Sequence, residues 1–269
     1  MPAVPVERVS VPVETRAPTG ATTAYLVGES PALLVDPAGR TAELDSLVAN
    51  HEVGAIAVTH THPDHVGAVA DYAAETDADL LARRPERFAD ATGVEPDRTI
   101  AEGSQIQTGS GPVTVLDTPG HASDHVAFEL LDSSVLCGDL AVAEGSVVVG
   151  APEGDLRGYL TSLRRLWARD PDRLLPSHGP AMSVDGGSGP TARESLERLI
   201  AHRLRRERAV LAAIQDGATD VDAVLDAAYD KDLSGVRDLA RATVIAHVEK
   251  LAVEGKVGWE PEHGRIGRA

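Results

Sequence analysis

The chain has 269 residues and carries 25 Lys and Arg against 42 Asp and Glu, a formal net charge of −17. That length suits one large domain or a medium domain with a small partner, and 42% hydrophobic residues suffice for a core, so wholesale disorder is excluded. No apolar run approaches the ~18–20 residues of a membrane span, residues 1–16 lack a signal-peptide pattern, and a single cysteine, Cys137, rules out an internal disulfide framework; a cytoplasmic protein is expected.

In chain order, short β-rich runs come first, at Val9–Glu14, Thr22–Val27 and Leu33–Asp36. A helix is predicted over Ala42–Asn50 and a buried strand over Ala55–Thr59. Helices then fit Val66–Thr76, Pro85–Ala91 and Leu156–Ala168, with strands at Val113–Asp117, Ala127–Leu131, Ser134–Cys137 and Arg173–Leu175. Mixed strands and helices predict a layered α/β domain over residues 1–188. A Gly/Ser/Pro stretch, Ser183-Val184-Asp185-Gly186-Gly187-Ser188-Gly189-Pro190, reads as a linker. Beyond it, residues 191–269 form a second unit. Thr191 caps a helix to about Gln215, Thr219 opens a second, a third spans Val236–Glu254, and a hairpin flanks Pro261–Gly264. Three helices and a hairpin describe a winged helix.

Charge divides along the same line. Residues 1–190 hold 12 basic and 28 acidic side chains, residues 191–269 hold 13 and 14. The basic residues are 22 Arg and three Lys (Lys231, Lys250, Lys256); this acidic, lysine-poor balance points to a salt-rich cytoplasm and a halophile, with a GC-rich genome as the alternative source of the missing lysine.

Four polar clusters sit directly at strand ends, where loops commonly assemble sites. They are His60-Thr61-His62-Pro63-Asp64-His65, Thr118-Pro119-Gly120-His121, Gly138-Asp139 and Ser177-His178-Gly179. Imidazole and carboxylate suit zinc. His60 and His62, two residues apart, can reach one ion with His121 completing the set. Asp64, His65 and His178 can face a second ion, with Asp139 bridging the two. The isolated His51, His202, His247 and His263 read as turn or capping residues.

The motifs HTHPDH, TPGH, CGD and PSHG, in this order, resemble the metallo-β-lactamase superfamily over about residues 9–185. That resemblance implies a four-layer αββα sandwich with a dinuclear site of two zinc ions at the sheet edge, held by the seven residues above. It also implies that Asp36, in Leu34-Val35-Asp36-Pro37, lies beneath the site. His62 in place of Glu counts against the flavodiiron branch, and Cys137 is expected to pack as a small hydrophobe rather than serve as a ligand. Asp64 is expected to help position the nucleophile's proton, and His125 to act as a substrate contact or general acid, with a purely supporting role as the alternative.

Residues 191–269 resemble the C-terminal winged-helix region of the lactamase-β-like protein 2 family of endoribonucleases, through Ala201-His202-Arg203, Arg206-Glu207-Arg208 and His247–Val257. This implies hydrolysis of single-stranded RNA through a metal-activated water. Arg203, Arg205, Arg206 and Arg208 would contact an anionic substrate, or else simply form a solvated helix face with pairs such as Glu194–Arg198 and Arg203–Glu207. The alternative is a glyoxalase-II-like or acyl-CoA-type thioesterase; a third reading is a non-catalytic nucleic-acid-binding protein. No membrane partner and no sequence-specific DNA reading are expected; homodimer packing and a substrate rim are the two alternatives for this unit.

Overall fold

The computed structural model describes residues 3–183, 189–230 and 232–269. Residues 184–188 of the expected linker lie outside that description. In the first half, strands β1 (Val6–Pro12), β2 (Ala21–Val27), β3 (Ala32–Val35), β4 (Val53–Ala57), β5 (Asp79–Ala82) and β6 (Arg98–Thr99) form one sheet in sequence order. Helices α1 (Ala42–Ala49), α2 (Pro63–Val66), α3 (Val69–Glu75) and α4 (Pro85–Thr92) connect its later strands. The first three strands pair antiparallel, and from β3 onward the pairing is parallel. Parallel strands need covering on both faces, which is why β3 is apolar throughout and fully buried.

The second half builds another sheet in the order β12-β11-β10-β9-β8-β7. Its members are β7 (Gln105–Thr108), β8 (Gly111–Asp117), β9 (Val126–Glu129), β10 (Ser134–Gly138), β11 (Arg173–Pro176) and β12 (Met182–Ser183), with α5 (Leu156–Arg169) between β10 and β11. Three separate cores reveal the layering. Leu44, Tyr72 and Phe88 from α1, α3 and α4 pack on Leu26, Leu34 and Ile56 of the first sheet. Tyr25, Val35 and Leu81 meet Val115, Phe128 and Leu136 between the sheets. Leu160 and Leu163 of α5 cover Val135, Cys137 and Leu174 of the second sheet. Each such buried side chain contributes ~1.5–3 kcal/mol. The result is helix, sheet, sheet, helix, as expected.

Two local expectations shift. The helix expected over Val66–Thr76 is broken after α2, because the Ala68 N–H donates to Pro37 O at 2.9 Å and pins the chain to the loop after β3. The short strands β5, β6, β7 and β12 add to the expected set; they pair at the sheet edges or beside them.

Beyond residue 190 lie α6 (Ala192–Gln215), α7 (Val221–Ala228), α8 (Arg237–Val253) and the antiparallel pair β13 (Val257–Glu260) and β14 (Arg265–Arg268). Thr191 caps α6 through a reciprocal capping box with Glu194. Asp220, rather than Thr219, caps α7, its carboxylate accepting the Ala223 N–H. α6 belongs to two cores. Leu196 and Leu199 pack with α5, whereas Val210 and Ile214 pack with α7, α8 and the hairpin. This helix therefore joins the core on the second sheet to the core among α7, α8 and the hairpin.

Candidate metal centre

The site forms where loops leave β4 of the first sheet and β8, β10 and β11 of the second. After β4 the chain passes His60 and His62, and Pro63 starts α2, whose single turn presents Asp64 and His65. The loop after β8 brings His121, the turn after β10 brings Asp139, and the loop after β11 brings His178. Gly138 makes that third turn possible. Its φ is +52°, and a Cβ there would come within 2.7 Å of His125 Nε2 and 2.8 Å of Thr59 Cβ.

Two groups of donors result. His60 Nε2 and His121 Nε2 approach His62 Nδ1 to 2.8 and 3.0 Å. Asp64, His65 and His178 form the other group, their donor atoms within 4.8 Å of one another. Asp139 stands between: its Oδ2 is 3.5 Å from His121 Nε2, and its Oδ1 is 3.4 Å from His178 Nε2 and 3.9 Å from His65 Nε2. All seven residues expected from the sequence thus converge.

The outer ring nitrogens fix which atom each histidine presents. His121 Nδ1 donates to Val148 O at 2.7 Å, His178 Nδ1 to Ala21 O at 2.9 Å, and His62 Nε2 to Glu153 Oε2 at 3.2 Å. His65 Nδ1 donates to Asp36 Oδ2 at 3.0 Å. His60 Nδ1 donates to Thr59 Oγ1 at 3.0 Å, since that hydroxyl itself donates to Asp36 at 2.8 Å. Each remaining nitrogen therefore turns a lone pair toward the clusters, the arrangement that orients metal ligands. His65 Nε2 and Asp139 Oδ1 are buried with no hydrogen-bond partner, a cost that a bound cation would relieve. The residues fit metal binding.

Electrostatics follow burial and neighbours. Burial, reinforced by His65, His121 and His62, holds His60 well below the usual imidazole range. Burial opposes protonation of His65 too, yet Asp36, Asp139 and Asp64 raise it to about 9. Asp139 resists burial and stays far below the usual carboxylate range because His178, His65 and His121 surround it.

Asp36 lies beneath both groups, fully buried, at a φ of +51°. Its carboxylate accepts from Thr59 N at 2.7 Å, Thr59 Oγ1, Ser177 Oγ at 2.9 Å and His65 Nδ1. His125 stands in the position of the supporting alternative. It is 1% exposed, its Nε2 accepts the Asp139 N–H at 3.0 Å, and its Nδ1 donates to Thr118 Oγ1 at 2.8 Å. Burial first, then His121, pushes it down to about 3. Both nitrogens are committed to protein groups, so His125 holds the Asp139 turn.

The arginines of α6 also correct an expectation. Arg203 is 2% exposed, donates to Val147 O and lies 5.5 Å from the Tyr159 ring centroid. Arg206 donates to Ala228 O and stacks 3.5 Å over Tyr229. The pairs expected at Glu194–Arg198 and Arg203–Glu207 are replaced: Glu194 serves the helix cap, and Glu207 pairs with Lys250 at 2.6 Å. Arg205 and Arg208 remain exposed. His247, expected at a turn, is fully buried within α8. Residues without a sequence signal also shape the site. Thr15 Oγ1 donates to Asp64 at 2.5 Å, and Arg87 on α4 pairs with Glu153 and donates to Ser123 Oγ at 3.2 Å.

Comparison with known proteins agrees with this geometry. Residues 17–178 match the Metallo-beta-lactamase superfamily model. A Beta-lactamase-like protein 2 homolog of Caenorhabditis elegans is 27% identical over 212 residues, 77% of this chain and 68% of that protein. An atrochrysone carboxyl ACP thioesterase of Aspergillus chevalieri is 28% identical over 263 residues, 90% of this chain and 79% of that protein. The fold is shared with a metallo-beta-lactamase family protein of Thermus thermophilus, at a TM-score of 0.76 and 24% identity over 98% of each chain. Motif order, the layered fold and the converging histidine and aspartate groups all agree: the chain belongs to the metallo-β-lactamase superfamily.

Proposed function

We propose that the protein is a dinuclear zinc hydrolase, with His60, His62 and His121 on one ion, Asp64, His65 and His178 on the other, and Asp139 between them. The observation that carries this reading is that five imidazoles commit their outer nitrogens to protein oxygens and turn the inner ones toward each other. Two ions held by these residues would supply a water nucleophile at neutral pH and would stabilise charge developing on the attacked and leaving oxygens. The chain's own residues orient and exclude. Asp36 holds His65 directly and His60 through Thr59. Thr15 fixes Asp64 through Oδ2, which leaves Oδ1, 3.8 Å from His65 Nε2, turned toward the second group of donors. Arg87 and Glu153 close the rim beside His62.

For substrate, an acyl thioester is favoured over single-stranded RNA. Two of the four α6 arginines that would grip phosphates, Arg203 and Arg206, are spent on protein carbonyls, and aromatic residues make up only 3% of the chain, which leaves little for base stacking. The thioesterase relative spans most of the chain. RNA cleavage is the second reading, supported by the exposed Arg205 and Arg208 and by the relatives of the β-lactamase-like protein 2 group. Three helices and a hairpin support a winged-helix reading of residues 191–269. Its third helix spends Arg237 and Arg241 on Asp222 and Asp226, which argues against reading DNA sequence. A cytoplasmic, salt-rich setting fits the charge of −17, and no helix among the described residues is long and apolar enough to cross a membrane.

The test is a panel of acyl thioesters and fluorescent single-stranded RNA, incubated with zinc-loaded full-length protein in high KCl. Thioester turnover that His62→Ala abolishes, with RNA left intact, is the expected result. RNA cleavage lost in the same variant, with inert thioesters, would reverse the order of the two substrates. Two bound ions and no hydrolysis of either class would favour a binding protein.

A further inference from the structure

Residues 142–154 link the Asp139 turn to α5 and deliver both oxygens that orient His121 and His62. Val148 O accepts from His121 Nδ1, and Glu153 Oε2 accepts from His62 Nε2. The far side of the same segment is gripped by the C-terminal helices. Arg198 of α6 donates to Val142 O and Ala143 O at 2.6 and 3.1 Å and to Gly145 O at 2.5 Å. Arg203 of α6 donates to Val147 O. From α8, Ala242 O accepts the Ala151 N–H at 3.1 Å, and Gly150 lies so close that a Cβ there would come within 2.8 Å of the Ala242 methyl. Two successive carbonyls therefore serve opposite sides: Val147 faces Arg203 and Val148 faces His121.

A guanidinium that is 2% exposed, with no acid paired to it and its Nε unpartnered, is costly to bury. It gains the Val147 carbonyl and the face of Tyr159. We propose that the C-terminal helices clamp residues 142–154 and that Arg203 is thereby a positioning residue for the His60–His62–His121 cluster. The second cluster lies outside the clamp, since His65 leans on Asp36 and His178 on Ala21. The C-terminal unit on this account completes the site that the first unit carries. The proposal rests on the reading of the site as metal-binding.

The experiment measures zinc affinity on the full chain by competition with a chromophoric chelator, beside urea unfolding of the metal-free protein. Wild type binds two ions; His178→Ala, which removes a donor of the second cluster, assigns the two affinities. Partners of metal ligands typically set affinity by 10–100-fold, so Arg203→Met is expected to weaken the first cluster by about 10-fold and leave the second unchanged. Arg203→Lys restores most of the loss, because an ammonium can still donate to Val147 O. Gly150→Val, which wedges the segment away from α8 without touching an arginine, reproduces the Arg203→Met effect and carries the test should Arg203→Met not fold. Unchanged affinity at both clusters in Arg203→Met and Gly150→Val overturns the clamp. So does an equal loss at both clusters that tracks metal-free stability and is not rescued by lysine. A wild-type protein that binds no ion instead overturns the metal reading itself.

Discussion

Replacing Asp36 by Asn isolates the carboxylate that underlies both donor groups. One oxygen accepts the Thr59 N–H at 2.7 Å; the other accepts Thr59 Oγ1, Ser177 Oγ and His65 Nδ1 at 2.8, 2.9 and 3.0 Å. An amide keeps one acceptor and turns a second donor onto a donor. With its oxygen toward the three side chains, the buried Thr59 N–H loses its partner, which costs ~1–3 kcal/mol. The lost charge adds a pH-dependent part. His65 is raised to about 9 against burial, chiefly by Asp36. A histidine whose folded pKa lies above the unfolded ~6.5 contributes stability that is complete below pH 6.5 and gone once pH passes 9. That window of about 2.5 units is worth about 3 kcal/mol. Metal-free Asp36→Asn is therefore expected to lose about 4–6 kcal/mol at pH 6 and only the ~1–3 kcal/mol of the orphaned amide at pH 9. Urea unfolding in chelator at both pH values measures this. A loss of the same size at pH 6 and pH 9 would refute the coupling of Asp36 to His65.

Other expectations follow from the same interactions. His247 is fully buried, and burial with Arg203, Arg206 and Lys250 pushes it down to about 3. Its folded pKa lies below the unfolded value, so stability falls as pH drops below ~6.5; His247→Gln should recover about 3 kcal/mol of the acid loss at pH 4, read by chemical denaturation. Gly138→Ala places a Cβ against His125 and Thr59 at a φ of +52°, so it should displace Asp139 and reduce turnover more than tenfold while circular dichroism stays native. Cys137 is fully buried, and burial raises its thiol to about 12; a thiol reagent should label it only after unfolding. Saturating zinc at about 1,000 times its Kd should stabilise the chain by about 4 kcal/mol per site, seen as a rise in Tm that a chelator reverses.

The parts of the site visible in the sequence are those that are local. His60, His62, Asp64 and His65 fall within six residues, and His121, Asp139 and His178 each follow a recognisable apolar strand. Their supporting partners have no local signature. Glu153 reaches His62 across 91 residues, Thr15 reaches Asp64 across 49, and the Val148 contribution is a backbone carbonyl that any residue type could provide. Arg203 misleads for a related reason: a run of arginines on a helix resembles a solvated face, and only the packing of α6 on residues 142–154 buries one of them. The strands β5 and β7 escape because four residues, buried in a run in β5 and alternating in β7, are too few to display a period.

The central claim is that seven side chains hold two ions, and metal counting tests it most directly. Native mass spectrometry of the zinc-reconstituted full chain should show two zinc ions per chain, and one in either His62→Ala or His178→Ala. Wild-type protein that retains no zinc, or two ions retained in both variants, would contradict it.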